Sequence, residues 1–215
     1  MKRISVSQIG SYLSYLNGII TLKQFVDGIK HRTPPSIKMR AGTQFHCAIQ
    51  GIPCEQDERI IFLDEDIQEA KTKVDARSDI FEYKIRKRFQ TPHGEIFVTG
   101  VADHIVGNVI HEFKTTYSNF SYERYADSIQ WMAYCNLFGV EEVRYQVWQL
   151  SEPDDECPIE KIKPLKVKSY NEFSLYGNHC TDVKFTDALH GALDLIRMLD
   201  LDSYFEPRQD LELTV

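Results

Sequence analysis

Gly100-Val101-Ala102-Asp103-His104-Ile105-Val106-Gly107-Asn108-Val109-Ile110-His111-Glu112-Phe113-Lys114-Thr115 is the stretch on which the fold turns. Two β-rich runs flank Gly107-Asn108, a pair suited to a two-residue hairpin turn with positive φ. That turn sets Val106 against Val109, Ile105 against Ile110, His104 against His111 and Asp103 against Glu112. Side chains alternate between the faces of a strand, so Asp103, Glu112 and Lys114 project from one face. Opposed residues have Cβ atoms about 4.5–5.5 Å apart, and like charges at that distance destabilise a sheet. A divalent cation between the carboxylates would offset the repulsion, since hard cations take oxygen ligands. A solvated face, with both acids in water and Lys114 as a salt-bridge partner, is equally compatible with the spacing. A three-residue loop would shift the register by one residue and spoil the direct opposition.

Outward on the C-terminal side, Thr116 to Asn119 is a polar loop, and Ser121 to Phe138 has the pattern of a helix ended by Gly139. Gln130 and Tyr134 are four residues apart and share a face of that helix. They are either an amide and a phenol at a helix boundary or a pair that orients a substrate beside the hairpin acids. Val143 to Leu150 alternates as a strand. The unit from Val109 to Leu150 therefore predicts a strand–helix–strand crossover. Glu152 to Pro158 is a loop, Lys163 to Tyr170 a further strand, and Thr181 to Leu199 a final amphipathic helix.

On the N-terminal side, Glu95 to Thr99 leads into the hairpin, as one long strand bent or bulged at Gly100. Asp66 to Arg88 is polar and reads as a long surface helix, and Arg59 to Leu63 as a short β-like run. Met39 to Gln50 is helical, with Phe45, Ala48 and Ile49 at core spacing and His46 on the neighbouring stripe. A lone histidine there is more often structural than a ligand. Pro34-Pro35 breaks the chain before it. Helices are expected from Thr21 to Ile29 and from Ser5 to Leu16, the latter with Ser5 or Ser7 as its N-cap. The order of elements predicts an α/β or α+β domain, a mixed central sheet flanked by helices. A single domain over residues 1–215 is expected, helical over about 1–58 and closed by the helix at about 181–200.

Composition narrows the function classes. The 215 residues are 42% hydrophobic and 27% charged, an ordinary globular profile. No run of about eighteen apolar residues offers a membrane span. Met1-Lys2-Arg3-Ile4-Ser5 has charge but no apolar region behind it, so a cytoplasmic protein without membrane partners is expected. The five cysteines are scattered and form no C-x-x-C. A net charge of −7 argues against a broad nucleic-acid-binding surface but leaves room for a small cleft. The clusters Lys84, Arg86, Lys87, Arg88 and Lys161, Lys163, Lys166, Lys168 are read by default as solvated faces.

Taken together, Gly42-Thr43-Gln44-Phe45-His46, Gly100-Val101-Ala102-Asp103, Glu112-Phe113-Lys114-Thr115 and Gln130-Trp131-Met132-Ala133-Tyr134 resemble the PD-(D/E)XK nuclease superfamily, in its RecB-type and phage-exonuclease branch. The opening Ser5-Val6-Ser7-Gln8-Ile9 resembles the start of such domains, and the likeness spans residues 4 to 150. An E-x-K triplet alone is a weak signal; four motifs in this order are far stronger.

The resemblance implies a restriction-endonuclease-like core and a Mg²⁺- or Mn²⁺-dependent hydrolysis of phosphodiester bonds. It implies that Asp103, Glu112 and the Phe113 carbonyl bind the metal and that His46 is a further ligand or steadies it. Lys114 would position or activate water, and its pKa would fall beside a dication. Gln130 and Tyr134 would shape the site and contact the nucleic-acid backbone. The early Tyr12-Leu13-Ser14-Tyr15 and the two late cysteines, Cys157 and Cys180, depart from the iron–sulfur pattern of this group, so no cluster is expected. The expected activity is a DNA exonuclease in recombination, repair or phage DNA processing, acting on single- or double-stranded ends. A structure-selective endonuclease and a non-catalytic binding module are the alternatives. A homo-oligomer or a recombination-protein partner is compatible with either.

Overall fold

The computed structural model describes residues 2–31, 33–74, 80–154 and 156–205. A six-stranded mixed sheet runs through it, with helices on both faces. Strand β1 (Arg3–Ser5) leads directly into α1 (Val6–Leu16). Helices α2 (Leu22–Ile29), α3 (Ile37–Gln50) and α4 (Asp64–Lys71) follow. The long strands β2 (Ile80–Thr91) and β3 (Gly94–Val106) come next, then β4 (Val109–Thr116). Helices α5 (Tyr122–Ala126) and α6 (Ile129–Phe138), strands β5 (Glu142–Leu150) and β6 (Val167–Tyr176), and α7 (His179–Met198) complete the order.

The predicted hairpin forms. Gly107 takes φ 60 and Asn108 stays at negative φ, the pattern of a II′ turn, in which only the first central residue needs the glycine. The ladder pairs Val106 with Val109, Ile105 with Ile110 and His104 with His111. It then stops. The Asp103–Glu112 rung expected from the register is not made; the Phe113 N–H goes to the Asp103 side chain, while the other edge of β4 pairs in parallel with β5 from Val109↔Glu142 to Thr116↔Gln149.

On the other side, β2 pairs with β3 along most of its length, from Ile80↔Ile105 to Thr91↔Gly94. With one edge of β3 taken by β2, β1 and β4 must share the opposite edge. There β1 pairs with Phe97 to Thr99 and β4 with His104 to Val106. Gly100 to Asp103 lie in a gap between the two, with no strand beside them on that edge.

Two cores sandwich the sheet. Alternation along β5 sends Val143, Tyr145 and Val147 to one, and Trp148 and Leu150 to the other. The larger holds Ile9 of α1, Phe25 of α2, Ala133 of α6 and Phe185 of α7. The smaller packs Phe45 and Ile49 of α3 and Ala70 of α4 on Phe113 and Trp148. Burying apolar area at about 25 cal/mol per Å² makes these contacts the main support of the fold.

Capping follows the sequence. Ser5 and Thr21 each form a capping box, with Gln8 and Gln24 three residues on, and Gly139 ends α6 at φ 70. Four further expectations are corrected. The single helix from Ser121 to Phe138 is two, broken at Asp127-Ser128, where Ser128 caps α6 by accepting from the Gln130 N–H. The run Arg59 to Leu63 contributes only a bridge of Phe62 to Leu165, and the late strand is Val167–Tyr176 rather than Lys163 to Tyr170.

The largest correction concerns Asp66 to Arg88, where the helix ends at Lys71 and a strand begins at Ile80; residues 75–79 lie outside the described ones. Pairing with β3 from Ile80↔Ile105 to Thr91↔Gly94 outweighs the helix-favouring composition, and the half-buried Phe81, Ile85 and Phe89, four residues apart, fit a helix face as well as a strand. Among the described residues no helix is long and apolar enough to cross a membrane.

Candidate functional site

The gap along β3 opens into a cavity of about 440 Å³. Its walls come from the starts of α1 and α6, from Thr99 to Asp103 of β3, and from Glu112 and Lys114 of β4, with Glu82 of β2 at the rim. The sequence-expected Asp103, Glu112, Lys114, Gln130 and Tyr134 therefore meet in one place.

The parting of β3 and β4 gives each acid its position. Asp103 turns its carboxylate onto the freed backbone, its Oδ2 accepting from the Phe113 N–H at 2.7 Å. Glu112 is 1% exposed, and its Oε1 accepts from Lys114 Nζ at 2.6 Å and from Gln130 Nε2 at 2.7 Å. Its Oε2 is buried and has no hydrogen-bond partner. A buried polar atom left unmade costs about 1–3 kcal/mol, more for a charged group.

Gln130 and Tyr134 act on Glu112 as one relay. Gln130 Nε2 also donates to Tyr134 Oη at 2.9 Å, and the Tyr134 hydroxyl donates to the Val101 carbonyl at 2.6 Å. The phenol thereby satisfies a backbone acceptor of the strandless stretch of β3. The helical spacing of four residues brings both side chains to the same acid.

Electrostatics set the site's charge. Burial, and then Asp103, push the Glu112 carboxyl up to about 8 against the pull of Lys114. Burial also raises Asp103, opposed by Lys114 and by the Phe113 N–H. For Lys114, burial disfavours the ammonium, but Glu112 and Asp103 outweigh it and leave its pKa above the usual lysine range. The fall expected for Lys114 beside a dication is thus opposed by the chain's own acids.

Residue His46 approaches from α3, whose Gly42 packs on β4. A Cβ on Gly42 would lie 2.7 Å from Thr115 Oγ1, so only glycine permits this approach. One turn on, the His46 ring meets that of Phe113 edge to face at 6.1 Å. Burial first, and Lys114 second, push its pKa down to about 3, so the imidazole is neutral. Its Nε2 is buried without a hydrogen-bond partner. Among the described residues no three His, Cys, Asp or Glu side chains converge as a ready ion cage.

Two contributors escaped the sequence reading. Glu82 was hidden within a presumed surface helix. Gln50, at the end of α3, donates through Nε2 to the Asp103 carbonyl at 3.2 Å and also hydrogen-bonds Glu82. Both act through non-local pairing of β2 and α3 with β3, which no local motif announces.

No family model and no curated protein matches the chain. Among solved structures, SSO0001 superposes with a TM-score of 0.52 at 13% identity, over 91% of this chain and 77% of that one. Rai1 of Scheffersomyces stipitis matches at 11% identity over 97% of this chain and 63% of its own, but its TM-score of 0.38 bears no weight. The likeness to SSO0001 is one of fold: a mixed α/β sheet flanked by helices, the architecture built above strand by strand.

Proposed function

We propose that the chain is a Mg²⁺- or Mn²⁺-dependent deoxyribonuclease of the PD-(D/E)XK type, acting as an exonuclease. The observation that carries this reading is the cavity in which Asp103, Glu112 and Lys114 meet with a buried carboxylate oxygen, Glu112 Oε2, left without a partner. The donor set fits a hard dication. Two desolvated carboxylates stand together, their pKa values raised by burial despite the Lys114 ammonium beside them. The neutral His46, with its partnerless Nε2, packs on the Phe113 ring and feels the Lys114 charge.

Asp103, Glu112 and the Phe113 carbonyl would hold the ion, and His46 would bind or steady it. When bound, such an ion lowers the pKa of water and polarises a scissile phosphate. The chain's own groups do the rest. Gln130, anchored through Tyr134 to Val101, holds the Glu112 carboxylate in one orientation. Lys114 stays protonated beside both acids and supplies a fixed cation to orient the attacking water and to meet charge developing on the phosphoryl oxygens.

End-labelled linear DNA and closed circles, single- and double-stranded, incubated with Mg²⁺, Mn²⁺ or EDTA, test the reading. Metal-dependent loss of linear DNA, sparing circles and abolished in Lys114→Ala and Asp103→Asn, is the expected result. Cut circles would replace the exonuclease by an endonuclease. No cleavage by wild type in any metal, with DNA binding intact, would leave a binding module.

A further inference from the structure

A glycine inside a strand marks either a bulge or a close approach of another group. At Gly100 the β2–β3 ladder decides between them. The rungs Arg86↔Thr99, Ile85↔Gly100 and Lys84↔Val101 follow one another without a break, so no bulge sits there. Unlike Gly94 and Gly107, Gly100 does not have a positive φ, so its backbone is open to residues with a side chain. Glycine weakens a strand through its entropy and its missing side chain. Here its conformational freedom goes unused, and the space it leaves does not.

That space is filled by α6. A Cβ on Gly100 would lie 3.0 Å from Leu137 Cδ1, 3.2 Å from Tyr134 Cε1 and 3.5 Å from Tyr134 Cδ1. Carbon atoms pack best at about 3.5–4.0 Å, so the leucine and the phenol ring would both have to retreat by a few tenths of an ångström. Each is 4% exposed, in an interior that yields little. The Tyr134 ring therefore lies on the bare backbone of β3. From there its hydroxyl donates to the Val101 carbonyl, one residue along, at 2.6 Å and accepts from Gln130 Nε2 at 2.9 Å. The same Gln130 nitrogen donates to Glu112 Oε1 at 2.7 Å.

We propose that Gly100 is a positioning residue of the ion centre: the side chain it lacks is the space in which the Tyr134 ring lies, and through Tyr134 and Gln130 it sets the orientation of the Glu112 carboxylate. This rests on the metal-dependent reading above and extends the site to a residue with no functional group of its own. A binding constellation must be held to within about 0.5 Å of its productive geometry. One methyl group at position 100 forces a displacement on that scale.

Calorimetric titration of the metal-free protein with Mn²⁺ alone, without DNA, tests it on a double-mutant cycle of Gly100→Ala and Tyr134→Phe. Gly100→Ala is expected to bind Mn²⁺ about tenfold more weakly, the scale on which altered metal surroundings act. Tyr134→Phe keeps the ring and loses only the hydroxyl. It should weaken binding by itself and leave Gly100→Ala with no further effect on affinity. Wild-type affinity in either single variant overturns the proposal, and so does full additivity, which would route Gly100 to the site by another path. Melting in EDTA separates space from relay and decides the matter where Gly100→Ala is too unstable to titrate. Gly100→Ala should lower Tm as much in a Tyr134→Phe background as in wild type, because the ring remains, but less in Tyr134→Leu. An equal loss in all three backgrounds shows that the methyl does not meet the ring and overturns the proposal. Wild type that takes up no Mn²⁺ overturns both readings, whereas wild type that binds and cleaves, matched by Gly100→Ala in affinity, overturns this one alone.

Discussion

Residue Glu112 is the most loaded in the molecule: buried, doubly hydrogen-bonded on one oxygen and bare on the other. Its folded pKa of about 8 stands above the unfolded value, so the native state binds the proton more tightly. The resulting stabilisation is fully present below the ordinary carboxyl pKa and is lost as pH rises through about 8. A cation must displace that proton. Mn²⁺ affinity should therefore climb with pH toward a plateau near 8, with close to one proton released per ion. Calorimetry in buffers of different ionisation enthalpy measures the release, and a flat affinity between pH 6 and 8 would refute it.

Tyr134 offers a second check at this scale. Its hydroxyl serves both the Val101 carbonyl and Gln130, so Tyr134→Phe strands two polar groups. A loss of about 1–3 kcal/mol in urea unfolding is expected, together with weaker Mn²⁺ binding as Glu112 loses its support. Unchanged Mn²⁺ affinity would show that the relay is structural only. Periodicity put Asp103, Glu112 and Lys114 on one strand face and Gln130 with Tyr134 on one helix face, and only the family resemblance joined the two groups. Their partnering was not legible. The Asp103 side chain takes the Phe113 N–H where the β3–β4 ladder ends, a bond that the hairpin register does not announce.

Strand β2 shows where sequence reading fails and why. Its Lys, Arg and Glu content matches a solvated helix, the four-residue spacing of Phe81, Ile85 and Phe89 fits a helix face too, and the strand is set by its pairing with the distant β3. An edge strand so charged discourages pairing with other chains, which is one sufficient reason for Lys84, Arg86 and Arg88. Their exposed row also leads away from Glu82 at the cavity rim, with same-face neighbours roughly 6.6–6.8 Å apart. Arg86 is pinned over the Phe97 ring at 4.5 Å, and Arg88 lies 3.6 Å from Glu95. If a nucleic-acid strand follows this row, Lys84→Ala with Arg86→Ala should flatten the salt dependence of DNA binding. The slope should change by roughly 0.7 per lost phosphate contact on single strands. Fluorescence anisotropy in an inactive Lys114→Ala background reads this, and an unchanged slope would return the row to edge protection.

For the whole molecule, two helical layers on one mixed sheet were foreseeable from the order of elements, whereas the path through the sheet was not. Strand β1 is three residues long and joins the sheet by pairing with Phe97 to Thr99, more than ninety positions along the chain. No window of sequence contains both partners. Yet this strand, by stopping at Ser5, leaves the gap beside Gly100 to Asp103 into which α1 begins. The cavity is thus a product of topology, and the motif residues are its lining.

The Gly107-Asn108 turn carries a consequence for how such a chain reaches its native state. Val106 meets Val109 and Thr91 meets Gly94 across equally short two-residue loops, while β1–β3 closes over more than ninety positions of chain. Closing a short loop costs the least entropy, so the contacts of Ile105 with Ile110 are candidates for the folding nucleus. Conservative truncations, Ile105→Val and Ile110→Val, should slow refolding with φ-values of about 0.5–0.8, whereas Ile4→Val in β1 should chiefly speed unfolding. Reversal of that order would place nucleation elsewhere. With the expected order, the hairpin that carries Asp103 and Glu112 forms in the earliest structured moments, and the rest of the protein assembles around it.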